Sequence, residues 1–155
     1  MRIVHPFVLL AFAAVVSTVA MSGSIAAQQA RVIQIEVGDN MKFLPAAITA
    51  APGESIKVVL KGVGKLPKVA MGHNFVLLKK GVDPKKLVDA CASAADSDYI
   101  AASVTPQLLS YTRLIGPGET AEAPFTAPAA RGDYVFVCTF PGHFALGMRG
   151  VLTVK

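Results

Sequence analysis

The sequence predicts an all-β, antiparallel sandwich or barrel that carries one small helical insert. Three observations lead there. Seven short runs read as strands, most of them rich in β-branched and aromatic residues, the first alternating in polarity from Ile33 onward. Turn pairs built on Gly and Pro separate most of them. A single stretch, residues 83–103, is rich in Ala, Lys and Asp and breaks the rhythm.

RVIQIEV (residues 31–37) sets Ile33, Ile35 and Val37 opposite Val32, Gln34 and Glu36, as a half-buried strand requires. SIKVVLK (residues 55–61) is rich in β-branched residues. HNFVLLK (residues 73–79) places His73, Phe75 and Leu77 on one face. In the insert, Asp83 is a helix N-cap with Pro84 in the first turn, and Leu87, Val88 and Cys91 recur at helical spacing. One helix, or two short ones, is expected to lie over the sandwich. YTRLI (111–115), ETAEAPF (119–125), DYVFVCT (133–139) and GVLTVK (150–155) complete the strands. Pro52-Gly53, Gly116-Pro117-Gly118, Arg131-Gly132 and Pro141-Gly142 supply turns. No repeat or linker divides residues 28–155, which are expected to form one domain.

Residues 1–27 read as a signal peptide: Arg2, then an apolar run over 7–21, then small and polar residues, with cleavage after Ala26 or Ala27. An uncleaved anchor is the alternative, but the 15-residue run falls short of the ~20 needed to span a bilayer. No cysteine lies near the cut to carry a lipid. No later stretch reaches transmembrane length, so no stable membrane insertion of the mature chain is expected. Removing Arg2 from the 15 basic residues leaves 14 against 10 acidic ones, a net of +4. These charges are scattered and not interleaved with aromatics, which speaks against nucleic-acid binding.

Chemistry concentrates in CTFPGHFALGM, residues 138–148, where a thiol, an imidazole and a thioether are separated by four residues each time. Once His5 leaves with the signal peptide, His73 and His143 are the remaining histidines. A thiolate, two imidazoles and a weak axial thioether form the donor set of electron-transfer copper. Zinc takes the same donors but seldom a Met in a structural site. Four donors leave no open position for a substrate, so no enzymatic role is expected. The plain alternative is a loop that happens to contain these residues beside structural histidines. A metal-bound Cys138 could not bridge Cys91, leaving Cys91 as a small buried thiol. Asn74 is placed to hydrogen-bond the Cys138 loop, backbone N–H groups near Phe140 to reach the sulfur, and the Gly72 carbonyl to make a weak further contact. For Asn74 and Gly72, ordinary turn chemistry remains the alternative.

NMKFLPAAITA, KLPKVAMGHNFVL, DSDYI, YTRLIGPGE and YVFVCTFPGHFALGMRGVLTVK occur in this order and resemble segments of the cupredoxins, azurins in particular. The paired motifs MGHN and CTFPGH are the specific part. The resemblance implies a Greek-key β-sandwich or barrel with a helical flap. It implies one type 1 copper ion held strongly by His73, Cys138 and His143, axially by Met148, with the Gly72 carbonyl as a weak contact. It also implies c-type cytochromes or copper oxidoreductases as partners; with the signal peptide cleaved, the expected location is the periplasm.

Several features depart from azurins. Four residues rather than three separate His143 from Met148, a spacing that resembles auracyanin, a related bacterial blue-copper protein. The N-terminal disulfide of azurins has no cysteines here, Phe75 stands where a Trp is often found, and a pH-linked histidine has no counterpart. Around His143, residues Pro141, Phe144 and Leu146, with Met71, Leu66 and Pro67, are expected to form an exposed apolar docking face, rimmed by Lys65 and Lys68. The leading expectation is a blue copper electron carrier that cycles Cu(II) and Cu(I). A copper-binding or delivery protein that does not cycle the metal is the main alternative; a multicopper-oxidase fragment and a zinc domain are the others.

Overall fold

The computed structural model describes residues 29–155; the signal-peptide reading of residues 1–27 lies outside them. The elements in order are β1 (Arg31–Val37), β2 (Phe43–Leu44), β3 (Ala47–Ala50), β4 (Ser55–Gly62), α1 (Lys68–Met71), β5 (Val76–Leu78), α2 (Pro84–Cys91), two 3-10 turns (Ala95–Ser97 and Ala102–Gln107), β6 (Leu108–Tyr111), β7 (Thr120–Thr126), β8 (Gly132–Val137) and β9 (Arg149–Val154). They form two sheets, one ordered β2-β1-β4-β7 and the other β3-β9-β8-β5-β6. The architecture is a sandwich of two open sheets rather than a closed barrel.

The sheets are mixed, not purely antiparallel as the short runs imply. β1 runs parallel to β4, with Arg31 opposite Ile56, and β3 runs parallel to β9, with Ala47 opposite Val151. Between β2 and β3 the chain leaves the first sheet for the second, and it returns as β4. The return brings β4 back in the direction of β1, with the crossover in place of a hairpin.

The alternation expected of β1 and β4 is met. Ile33, Ile35 and Val37 of β1 and Ile56, Val58 and Leu60 of β4 enter the core, while Arg31, Gln34 and Lys61 stay in water. β5 breaks the rule, because Val76, Leu77 and Leu78 are all buried. Leu77 faces the inter-sheet core. Val76 and Leu78 face a second apolar cluster with Leu87, Val88 and Cys91 of α2, Ile100 and Val104. A strand covered on both faces reads as continuous apolar sequence. The helical insert therefore roofs the outer face of β5 and β8, as expected of a flap. α2 is capped by the Asp83 carboxylate, which accepts from the N–H groups of Lys85 (2.9 Å) and Lys86 (3.3 Å).

At the centre of the sandwich three rings lock together. Phe136 lies 5.1 Å from Phe43, edge to face, and 5.0 Å from Phe75. All three are buried, and such pairs add roughly 0.5–1.5 kcal/mol each beyond the area they bury. Phe136 also fills the space above Gly150, where any Cβ would collide with its ring. Phe136→Ala should therefore cost about 3–5 kcal/mol, read as a lower urea midpoint of the metal-free protein. Val32→Ala, at an exposed position of β1, should change that midpoint by under ~0.5 kcal/mol. Equal shifts for the two would show that the ring cluster is not the core.

Candidate metal centre

Two separate stretches converge at one end of the sandwich. His73 lies just ahead of β5, where its backbone exchanges hydrogen bonds with Ile115: His73 N–H to Ile115 O at 2.9 Å, and Ile115 N–H to His73 O at 2.8 Å. Cys138 follows β8 directly. Its N–H donates to the Met148 carbonyl at 3.3 Å, extending the β8–β9 ladder by one step. The loop between them folds back twice, and a glycine precedes each candidate ligand. Gly142 (φ 85°) precedes His143 and Gly147 (φ 89°) precedes Met148, conformations that L side chains seldom take. Met148 N–H then donates to the His143 carbonyl at 3.0 Å.

The result is a compact donor set. One ligand atom from each of His73, Cys138 and His143 lies within 4.8 Å of the others, and Cys138 Sγ stands 3.5 Å from His143 Nδ1. The two imidazoles are 4.9 Å apart, centroid to centroid. His73 and His143 are each 3% exposed, and Cys138 and Met148 are fully buried. Gly72 is buried too, and a Cβ there would come within 2.7 Å of Leu114 and of the Lys68 carbonyl, so no larger residue fits beside His73.

Both nitrogens of His73 are enclosed and make no hydrogen bond. Buried polar atoms without partners are rare and costly. Burial, and then the neighbouring His143, push the His73 imidazole down to about 4, against a weaker opposing pull from Asp39 and the Gly38 backbone. Burial also lowers His143. The Cys138 thiol is pushed up to about 11 by burial, although the Asn74 and Phe140 backbone groups favour its thiolate. Neutral imidazoles and a sealed thiol are primed to exchange a proton for a metal.

The two stretches are joined by Asn74. Its Nδ2 donates to Thr139 Oγ1 (2.7 Å) and to the Asp98 carbonyl (2.9 Å), and its Oδ1 accepts from the Thr139 N–H (2.8 Å). Thr139 Oγ1 in turn donates to the Tyr99 carbonyl at 2.7 Å. The residue after one candidate ligand is thus bonded to the residue after the other. The sequence pointed to Asn74 but not to Thr139, Ile115 or Gly147.

A second clamp steadies the far side of His73. α1 has no buried residue and no side-chain cap. Lys68 in it pairs with Glu119 at 3.1 Å, and Arg113 pairs with the same carboxylate at 2.7 Å. The two cations, Arg113 first, hold the Glu119 carboxyl down at about 2.

The model for copper-binding proteins of the plastocyanin/azurin family matches residues 29–155. The chain belongs to that family. It is 38% identical to azurin-1 of Alcaligenes xylosoxydans xylosoxydans over 123 residues, which cover 77% of this chain and 94% of that one. It is 37% identical to azurin of Pseudomonas aeruginosa over 126 residues, covering 79% and 84%. It also resembles the crystal structure of dithionite-reduced auracyanin from Roseiflexus castenholzii, with a TM-score of 0.71, 34% identity, and coverage of 81% of this chain and 98% of that one.

The donor set of this plastocyanin/azurin-family chain fits copper. A first-row ion bonded to sulfur at ~2.3 Å and to nitrogen at ~2.0 Å holds the two about 3.5 Å apart at a tetrahedral angle, which is the Cys138–His143 separation. Soft sulfur with imidazole suits copper, and hard oxygen donors are not part of the cluster. Both cysteines are free and buried, so Cys138 is available and Cys91 serves as part of the flap core.

The surroundings of the site differ from expectation in two places. Phe144 is half-buried against the flap cluster and lies under the Arg149 guanidinium, 5.9 Å from ring centroid to cation. Of the other residues expected on that face, Pro141, Leu146, Leu66 and Pro67 are exposed and Met71 is half-buried; Val69 is exposed as well (87%). Lys68 does not form a free rim, because it shares the Glu119 carboxylate with Arg113; among the described residues Lys65 makes no ion pair.

Two outcomes follow for the metal-free protein. An unfolded chain protonates residue 73 below about pH 6.5 and the folded one only below about 4. Stability from this group is present above pH 6.5 and is lost as pH falls through that window, amounting to about 2 kcal/mol at pH 5. Urea midpoints at pH 7 and pH 5 measure it, and His73→Gln should flatten the acid limb; an acid limb unchanged in that variant would assign the effect to other groups. Asn74→Leu should cost about 2–4 kcal/mol by orphaning the Thr139 N–H. A midpoint within error of the parent would show that the two stretches are held by other contacts.

Proposed function

We propose that the chain is an exported blue (type 1) copper protein that carries single electrons between redox partners in the periplasm. His73, Cys138 and His143 act as the strong ligands, Met148 as the axial ligand and the Gly72 carbonyl as a weak contact. Residues 1–27 act as the signal peptide and residues 28–155 as the copper-binding domain. The observation that carries the reading is the convergence of three donors within 4.8 Å around a His73 ring with no hydrogen-bond partner. Bound there, copper supplies a one-electron couple whose thiolate contact gives the blue colour.

The residues of the chain do the rest. Cys138 gives up the proton that burial holds on its sulfur, and the Asn74 and Phe140 backbone groups favour the thiolate. The Asn74–Thr139 bonds and the His73–Ile115 exchange fix the donors against the different geometries the two oxidation states prefer. Less movement means a smaller barrier to electron transfer. The sandwich core and the flap exclude water from the sulfur and the His73 ring.

Four donors at 0–3% exposure leave no place for a substrate, which supports a carrier rather than an enzyme. The same depth speaks against a delivery protein, since release would require opening the core. Leu146, Leu66 and Val69 supply an apolar docking face near His143 for c-type cytochromes or copper oxidoreductases, small enough for brief encounters. Among the described residues no helix is long and apolar enough to cross a membrane. Protein recovered from the periplasm should begin at Ala27 or Gln28.

The copper-loaded protein should be blue and titrate reversibly with one electron. Cys138→Ser should abolish the colour, and a Ser variant that stays blue would overturn the ligand assignment. Met148→Leu should stay blue with a higher potential, because a donor to the oxidised ion is lost. An unchanged potential would remove Met148 from the site.

A further inference from the structure

A groove of about 460 Å3 runs between α2 and the loop that bears Cys138, His143 and Met148. Val88 and Ala92 wall it on the helix side, and Pro141, Phe144 and Ala145 on the loop side. Lys85, Asp89 and Arg149 stand at its rim. The charges there are unequal. Asp89 is taken up by Lys85 at 2.6 Å. Arg149 caps the Phe144 ring, and Lys42 reaches towards Gly147, its Nζ 3.5 Å from where a Cβ would stand. Among the described residues neither Arg149 nor Lys42 makes an ion pair. Two unpaired cations therefore stand at the groove, whereas Lys68 on the opposite side shares the Glu119 carboxylate with Arg113.

We infer that this groove is a second docking surface, for an acidic redox protein that seats an apolar ridge between Ala92 and Phe144 and sets its carboxylates against Arg149 and Lys42. The inference rests on the electron-carrier reading above and deepens it. Pro141, Gly142 and Phe144 line the groove and flank His143 in sequence, so a ridge seated there lies against the loop that carries the ligand. The exchange moves one electron: the partner's one-electron centre is reduced as Cu(I) becomes Cu(II), and no bond or proton is transferred. Ala145 and Gly147, which line the groove, flank Leu146 in sequence, so the groove adjoins the Leu146 face. Opposite charges raise the encounter rate at low salt and lose that advantage at high salt.

The test uses the copper-loaded protein and a c-type cytochrome of net negative charge. In the reduced, diamagnetic form, titration with the cytochrome should shift the backbone amide resonances of Ala92, Phe144 and Ala145. Ala92→Trp fills the groove from α2, away from the ligand loop, and should slow electron exchange while leaving the blue band and the potential as they are. Arg149→Glu should slow it about tenfold at low salt, with the gap closing at high salt. Amide shifts confined to Leu66, Val69 and Leu146, with Ala92→Trp exchanging at the parental rate, would overturn the groove and leave the carrier reading intact. A parent protein that binds copper but exchanges no electrons would overturn both.

Discussion

The two-way bond between Asn74 and Thr139 is the constraint on which the site depends. Each of these residues follows a candidate ligand in sequence, and 65 positions separate them. Joining them fixes the spacing of His73 and Cys138 whatever occupies the space between. The bond is fully buried, so water cannot compete for it, and both partners are satisfied, which is when a buried polar pair stabilises. Through Asp98 and Tyr99 the same pair ties the flap to the site.

This preorganisation explains why the fold tolerates an arrangement that is unfavourable without metal. A sealed imidazole with two unpaired nitrogens costs on the order of 1–3 kcal/mol per orphaned atom. A thiol pushed up to about 11 resists becoming the thiolate that a soft metal requires. Neither group can relax, because Leu114 and the Lys68 carbonyl crowd Gly72 and the β8–β9 ladder holds Cys138. The rigidity that makes the unligated site costly is what limits ligand movement during a change of charge.

Much of this was legible in the sequence, and the exceptions have physical causes. β1, β4 and β9 were readable because one face is wetter than the other; β8, whose outer face packs partly on the flap, was readable from its β-branched and aromatic run. β2 has only two residues, too short for any period, and β3 is half alanine, whose preference for strands is weak. α1 buries nothing and so leaves no periodic trace; a single ion-pair network holds it. YTRLI was placed as a strand, yet β6 is Leu108–Tyr111. Beyond Tyr111 the regular ladder ends, and Thr112, bonded to Phe75, and Ile115, bridged to His73, keep the chain beside its neighbour. The donor types at the site followed from chemistry and scarcity, since two histidines and one thiol-bearing loop leave few combinations. What sequence could not supply was Thr139, whose role exists only once β8 lies beside β5, and the inward turn of Phe144, which depends on the flap's second core.

The central claim is that the fold, not the metal, sets the positions of the donors. Crystal structures of the metal-free, Cu(I) and Cu(II) forms test it most directly. The account predicts that the donor atoms of His73, Cys138 and His143 stay within 4.8 Å of one another in all three forms, with the Asn74–Thr139 bonds unbroken. A metal-free form in which the sulfur or either ring swings out of the cluster would contradict it.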